Sequence, residues 1–167
     1  DCKNGIHSIC FQNVSYAYTG GKEILHGVHF QLEPEKVTVL VGHSGAGKTT
    51  CVNLLLRYYD TDSGRIEING TAIRDYTMTS LRKNISAVSQ ETYLFHESVR
   101  ENIRIGRPDA SDEEVERAAK AARAHAFICS LPDGYDTITG EQGFRLSGGE
   151  RQRISIARAI LRDTPVI

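Results

Sequence analysis

The sequence predicts an α/β fold with a mainly parallel core, and three features carry that prediction. Residues 37–41 (Val-Thr-Val-Leu-Val) form a continuous β-branched and aliphatic run, the mark of a strand buried on both faces of a parallel sheet. The run leads straight into a glycine-bearing turn and then into residues 48–58, a helical pattern with Val52, Leu55 and Leu56 on one face and Leu54 nearby. Further buried strands are expected at 85–88 and from Val166 onward, separated by helical segments, which is the alternation of an α/β core.

The other elements follow in chain order. Residues 9–14 alternate weakly and residues 28–32 follow Gly27, so both read as short strands. Turn residues fill 60–64, and a strand at 65–68 is closed by Asn69-Gly70, a strong hairpin signal. Residues 80–83 read as a helical turn before the strand at 85–88. The middle of the chain, from about 98 to 131, is helical. Ser111 followed by Glu114 makes a capping box for a helix over 112–123, with Val115, Ala118, Ala119 and Ala122 at helical spacing. Residues 147–161 make another helix.

Composition narrows the function classes. Hydrophobic residues at 40% and charged residues at 25%, with 15 Gly and 4 Pro in 167 residues, describe a globular chain and exclude disorder or a fibrous repeat. A net charge of −1 gives no electrostatic reason to expect nucleic acid or an anionic membrane surface as partner. Cys2, Cys10, Cys51 and Cys129 form no C-x-x-C pair and no ligand rhythm with the histidines, so they read as free thiols in a reducing compartment. No apolar run approaches the roughly 18 to 20 residues needed to cross a bilayer. The chain begins at Asp1 and stops at Ile167 as if excised from a longer protein.

Gly42-His43-Ser44-Gly45-Ala46-Gly47-Lys48-Thr49 fits G-x-x-x-x-G-K-[ST] between the predicted strand and helix. Glycines let successive N–H groups turn inward toward phosphate oxygens, and the helix N-terminus adds partial positive charge. Lys48 reaches the β and γ phosphates, and the Thr49 hydroxyl supplies one ligand to Mg²⁺. Thr50 continues the same turn. This loop is expected to bind nucleotide; His43 carries no role.

Leu146-Ser147-Gly148-Gly149-Glu150-Arg151-Gln152-Arg153 is a second glycine-bearing helix start. It resembles the signature motif of ATP-binding-cassette (ABC) ATPases, usually written with Gln where this chain has Glu150. Other segments resemble the family in the same order. Residues 11–18 resemble the segment that sets an aromatic ring against adenine, with Tyr18 at that position and Tyr16 as the competing, more core-like candidate. Gln90 matches the glutamine that coordinates Mg²⁺ and senses the γ-phosphate, ahead of a loop that contacts the membrane domain. Residues 139–143 resemble the exporter loop before the signature; Glu141 takes its acidic position or is a solvated turn residue. Residues 95–103 and 5–14 also have the exporter pattern. Arg151, Arg153, Arg158 and Arg162 read as a solvated basic face. Glu35 stands where a turn glycine is common.

The resemblance implies a P-loop NTPase (RecA-like) parallel core with an antiparallel β subdomain and a helical subdomain. The whole of 1–167 would be one ATP-binding domain: 1–90 the β subdomain and phosphate-loop core, 91–146 mainly helical, and 147–167 the signature helix and the start of the next strand. It further implies ATP and Mg²⁺ as cofactors, with contacts from Tyr18, Gly42, Ser44, Gly45, Ala46, Gly47, Lys48, Thr49 and Thr50. Ser147, Gly148, Gly149 and Glu150 would receive the γ-phosphate of a second, head-to-tail copy. A transmembrane domain fused upstream would place the domain on the cytoplasmic face of a membrane, with no nucleic acid involved.

Lys48 and Gln90 are the catalytic matches within the chain. In the family, the strand starting at Val166 continues to an Mg²⁺-holding Asp, a water-activating Glu and, later, a γ-phosphate His. None lies within the 167 residues, so the resemblance implies that the intact parent hydrolyses ATP and this chain does so poorly or not at all. Cutting into a parallel strand also predicts poor solubility or self-association. Two alternatives stay open. One is a chromosome-maintenance or DNA-repair relative, which would need a long coiled coil between the two motifs; the other is a non-catalytic ATP-binding module.

Overall fold

The structure, a computed structural model, describes residues 5–167; Cys2, one of the four cysteines read as free thiols, lies outside the described residues. The chain divides into two compact units, one ending at Ile85 and joined by Val166, the other covering 86–165 with Ile167.

The first unit is built on a four-stranded antiparallel sheet in the order β2-β1-β3-β4, with β1 Ile9–Ala17, β2 Glu23–Leu32, β3 Ser63–Ile68 and β4 Thr71–Ala72. Alternation, shifted by one residue at the irregularity around Asn13 (φ 49°), explains its face: Ile9, Phe11, Val14 and Tyr16 are buried from β1, Leu25 from β2, and Ile66 and Ile68 from β3. Phe11 stacks on Phe30 across the β1–β2 pair, with ring centroids 4.3 Å apart. Gly64 is a required glycine: its φ is +70°, and a Cβ there would sit 2.2 Å from the Asn13 carbonyl oxygen. Asn69 and Gly70 take φ of 52° and 77°, the left-handed pair of a tight hairpin, as their sequence requires.

The unit also carries α1 (Lys48–Leu55) and α2 (Met78–Asn84). Thr50, Cys51, Leu54 and Leu55 face inward from α1. Val52, expected on that face, is exposed, because the buried stripe runs through Thr50, Cys51, Leu54 and Leu55.

Two predicted strands do not form. Residues 37–41 make no strand, and Val37 and Val41 are 93% and 86% exposed. Residues 85–88 contribute a single parallel bridge, Ile85 to Val166. A parallel strand has no hairpin neighbour and depends on partners distant in sequence, whereas each antiparallel strand here is closed locally. The class is still mixed α/β, but the sheet formed is antiparallel, and among the described residues the parallel component is that one bridge.

The second unit is helical: α3 (Val99–Arg104), α4 (Asp112–Ala121), α5 (His125–Ser130) and α6 (Gly148–Arg162). Both halves of the capping box are made at α4, Ser111 Oγ accepting from the Glu114 N–H and Glu114 accepting from the Ser111 N–H. The helix stops sooner than predicted because Arg123 turns left-handed, φ 56°. Ile103, Val115, Ile128 and Ile154 are fully buried at the centre of the bundle. Around it Arg104 pairs with Glu101 and Asp112, and Arg107 with Glu114. No helix of the described residues is long and apolar enough to cross a membrane.

Candidate functional site

In the first unit the phosphate loop bends through Gly42, Gly45 and Gly47, with φ of 154°, 81° and 86°. Gly47 is the left-handed N-cap of α1, and a Cβ on it would lie 2.5 Å from Leu25 Cδ2. A glycine cap has no side chain to accept from the first turn, so the opening N–H groups of α1 stay available to an outside acceptor. Lys48 Nζ donates to the carbonyls of Gly42 (2.9 Å) and His43 (2.7 Å), which holds the ammonium over the loop. Ser44, Gly45 and Ala46 are exposed, and Thr49 presents its hydroxyl to solvent at the helix start. Thr50 is buried, with its hydroxyl 3.3 Å from the Tyr18 hydroxyl. This arrangement fits a triphosphate: glycine-bent backbone, an uncapped helix start and one tethered cation.

Tyr18 is half-buried and meets two rings edge-on, Tyr16 at 5.1 Å and Tyr59 at 5.2 Å. Tyr16 belongs to the core, where burial pushes its hydroxyl above the ordinary value. Nothing in the sequence singles out Tyr59: it lies three residues past the hydrophobic run that ends α1 and carries no periodic signal. Glu35 adopts φ 57°, so the turn before residues 37–41 keeps a left-handed conformation without its usual glycine.

The second unit holds the other candidate residues. Ser147 caps α6, accepting from the Glu150 N–H at 3.3 Å, while Glu150 Oε2 accepts from the Ser147 N–H at 2.7 Å. That bond, followed by the Ser147 hydroxyl, holds the Glu150 carboxyl below the usual carboxylate range. A hydroxyl both accepts and donates, so Ser147 serves the Glu150 N–H and the Glu150 carboxylate together. Ser147, Gly148 and Gly149 are exposed. A Cβ on Gly148 would meet only the tip of Arg151, and one on Gly149 only the tip of Arg153, each at 3.9 Å. The fold of this unit therefore does not need glycine at either position. Gly140 and Gly143 nearby do need it, against Phe144 at 2.3 Å and Leu94 at 2.9 Å.

The basic face is not simply solvated. Arg151 donates to the Leu146 carbonyl at 2.6 Å, Arg153 lies over the Phe127 ring at 5.0 Å, and Arg158 is half-buried with Asn102 as partner. Their aliphatic stems lie along the bundle, which periodicity alone cannot distinguish from a wet face. Gln90 and Glu141 are exposed, Glu141 opening a 3₁₀ turn over Glu141–Gly143.

A profile of the family described as "ABC transporter" matches residues 25–167. A putative multidrug export ATP-binding/permease protein of Bacillus subtilis is 54% identical over 158 residues, which is 94% of this chain and 27% of that protein. An ATP-dependent lipid A-core flippase of Legionella pneumophila is 51% identical over 94% of the chain and 27% of its own length. A beta-(1→2)glucan export ATP-binding/permease protein of Brucella abortus is 50% identical over 95% and 26%. Among solved structures, a bacterial Atm1-family ABC exporter with ATP bound superposes with a TM-score of 0.93 at 45% identity, covering 96% of this chain and 29% of that one. The chain thus spans about a quarter of the length of the relatives it matches.

Proposed function

The chain belongs to the ABC transporter family, and from that premise we propose that it is the ATP-binding domain of a membrane exporter, working as a head-to-tail pair at the cytoplasmic face. ATP with Mg²⁺ supplies a triphosphate addressed from two sides, and its hydrolysis removes the phosphoryl group that joins them. The loop at residues 42–49 and the start of α1 bind the phosphates of one molecule. Lys48 leaves its loop carbonyls to neutralise them, and Thr49 would supply one ligand to the metal. Tyr18 is the adenine platform, braced from behind by Tyr16 and Tyr59.

The helix start at Ser147, Gly148 and Gly149 takes the terminal phosphate carried by the partner copy. One observation carries this: two exposed glycines at a helix N-terminus whose absent Cβ atoms would touch nothing closer than arginine tips. Space kept open there suits an approaching ligand, and the unpaired N–H groups make that ligand an anion. The segment after Gln90, with exposed Tyr93 and Phe95, faces the membrane-embedded part. Glu141 sits in the loop that joins it.

The chain spans about a quarter of its relatives' length, and we assign hydrolysis to a protein of that full length, where general-base help would contribute about 10² to 10⁴ in rate. Calorimetric titration with ATP and Mg²⁺ tests the reading. The chain should bind ATP, Lys48→Ala should weaken binding by roughly tenfold or more, and Thr49→Ala should remove the Mg²⁺ dependence. Equal binding by wild type and Lys48→Ala would refute it.

A further inference from the structure

Asn102 on α3 is 0% exposed, and its amide is fully spent on the backbone of a neighbouring segment. The two protons of Nδ2 are shared among the carbonyls of Phe95 (3.0 Å), Glu97 (3.3 Å) and Ser98 (3.1 Å), and Oδ1 accepts from the Phe95 N–H at 2.8 Å. Arg158 approaches from α6. Its Nε donates to the Asn102 carbonyl at 2.9 Å, one terminal nitrogen to Asn102 Oδ1 at 3.2 Å, and the other to the Tyr93 carbonyl at 3.3 Å. Buried Thr139 adds a donor to the Phe95 carbonyl at 2.8 Å. Gly106 lets α6 close on the end of α3, since a Cβ there would lie 2.2 Å from the Arg158 carbonyl oxygen.

These partners of Arg158 are neutral oxygens, and burial pulls its guanidinium below the ordinary value. A partly buried cation held this way is a costly means of packing two helices; an apolar side chain would do that at lower cost. What the polar arrangement adds is direction. It fixes the carbonyls of Tyr93 and Phe95, whose rings meet edge-on at 5.1 Å and stand 54% and 49% exposed. The same α6 begins at Ser147, Gly148 and Gly149.

We propose that Asn102 and Arg158 are a positioning pair that makes α6 and residues 93–98 move as one body, so that phosphate contact at the start of α6 is transmitted to Tyr93 and Phe95. This rests on the reading of Ser147–Gly149 as a phosphate site. Neither residue touches nucleotide. Coupling of this kind is carried by a discrete, shared element and is demonstrated only by measuring the coupling.

The test uses the full-length transporter in proteoliposomes, with ATPase rate and KM for ATP as readouts. Arg158→Lys keeps the charge and loses the planar fork. It should lower kcat roughly tenfold while KM stays within about twofold. Asn102→Ala should do the same, and the double variant should be no slower than the slower single, because both cut one link. Unchanged kcat, KM rising in step with the loss, or multiplying losses would overturn the proposal. Should Asn102→Ala fail to fold, Arg158→Lys and an exchange experiment on the wild type decide. A non-hydrolysable ATP analogue should slow hydrogen–deuterium exchange over residues 93–98 as well as over 42–49. Protection at 42–49 with none at 93–98 defeats the positioning pair; protection at neither defeats the ATP reading beneath it.

Discussion

Replacing Gly149 by alanine separates a glycine kept for the fold from one kept for a ligand. Gly149 lies in the first turn of α6 with ordinary helical φ, and the added methyl would meet nothing nearer than Arg153 Nη1 at 3.9 Å. Alanine is favoured over glycine inside a helix by about 0.8 to 1.0 kcal/mol, and by less in the first turn. Gly149→Ala should therefore leave stability unchanged or raise it by up to about 1 kcal/mol, at most roughly 2 to 4 °C in Tm for a chain of this size. Gly47→Ala is the contrast. Its φ of +86° costs an L-residue about 1 to 2 kcal/mol. Its Cβ would stand 2.5 Å from Leu25 Cδ2 and 3.2 Å from Ile24 Cγ2, an overpacking worth about 1 to 3 kcal/mol more. The sum, roughly 2 to 5 kcal/mol, is a large part of a typical domain's stability. Thermal melts and ATP titrations of both variants provide the comparison. Gly149→Ala should melt like wild type and bind ATP through its own phosphate loop, but should lose ATP-driven association. Destabilisation of Gly149→Ala beyond about 1 kcal/mol would show that the glycine serves the fold after all.

Three further outcomes follow from the same contacts. Glu35→Gly relieves a left-handed glutamate and should stabilise by about 1 kcal/mol, read as a rise in Tm. Tyr18→Ala should weaken ATP binding by roughly 1 to 3 kcal/mol, the worth of base stacking, whereas Tyr18→Phe keeps the ring, loses only the Thr50 contact, and should bind nearly as well. The Glu150 carboxyl is held below its ordinary value by the Ser147 N–H, so its contribution is fully present above the unfolded glutamate value of about 4.3 and is lost as pH falls through the folded one. Glu150→Gln can still accept from Ser147, so it should melt close to wild type at pH 7 and lose less stability on acidification, measured by melts across the acid range.

Much of the site was legible because its signals are local. The phosphate loop needs only contiguous residues, and a serine three positions before a glutamate specifies a helix start whatever surrounds it; Ser111–Glu114 shows both bonds made. What could not be read depends on distant partners. Residues 37–41 have the composition of a buried strand, yet composition cannot supply a neighbour to pair with. Whether Gly47 or Gly149 needs to be glycine depends on what lies across from it, Leu25 in one case and open space in the other. Asn102 and Arg158 were hidden as polar residues in polar helices. A trace of the second was available, since Arg158 follows buried Ile154 by four positions and precedes buried Leu161 by three, which puts it on the inward face of α6.

The central claim is that one triphosphate is shared between the phosphate loop of one copy and the start of α6 of another. Sedimentation equilibrium with ATP and Mg²⁺ tests it on wild type, Lys48→Ala, Ser147→Arg, and an equal mixture of the two variants. Wild type should reach the mass of a dimer; each variant alone should stay monomeric, Ser147→Arg still binding ATP; and the mixture should dimerise, because it rebuilds one intact shared site. Dimers of Ser147→Arg alone, or loss of its ATP binding, would contradict the claim.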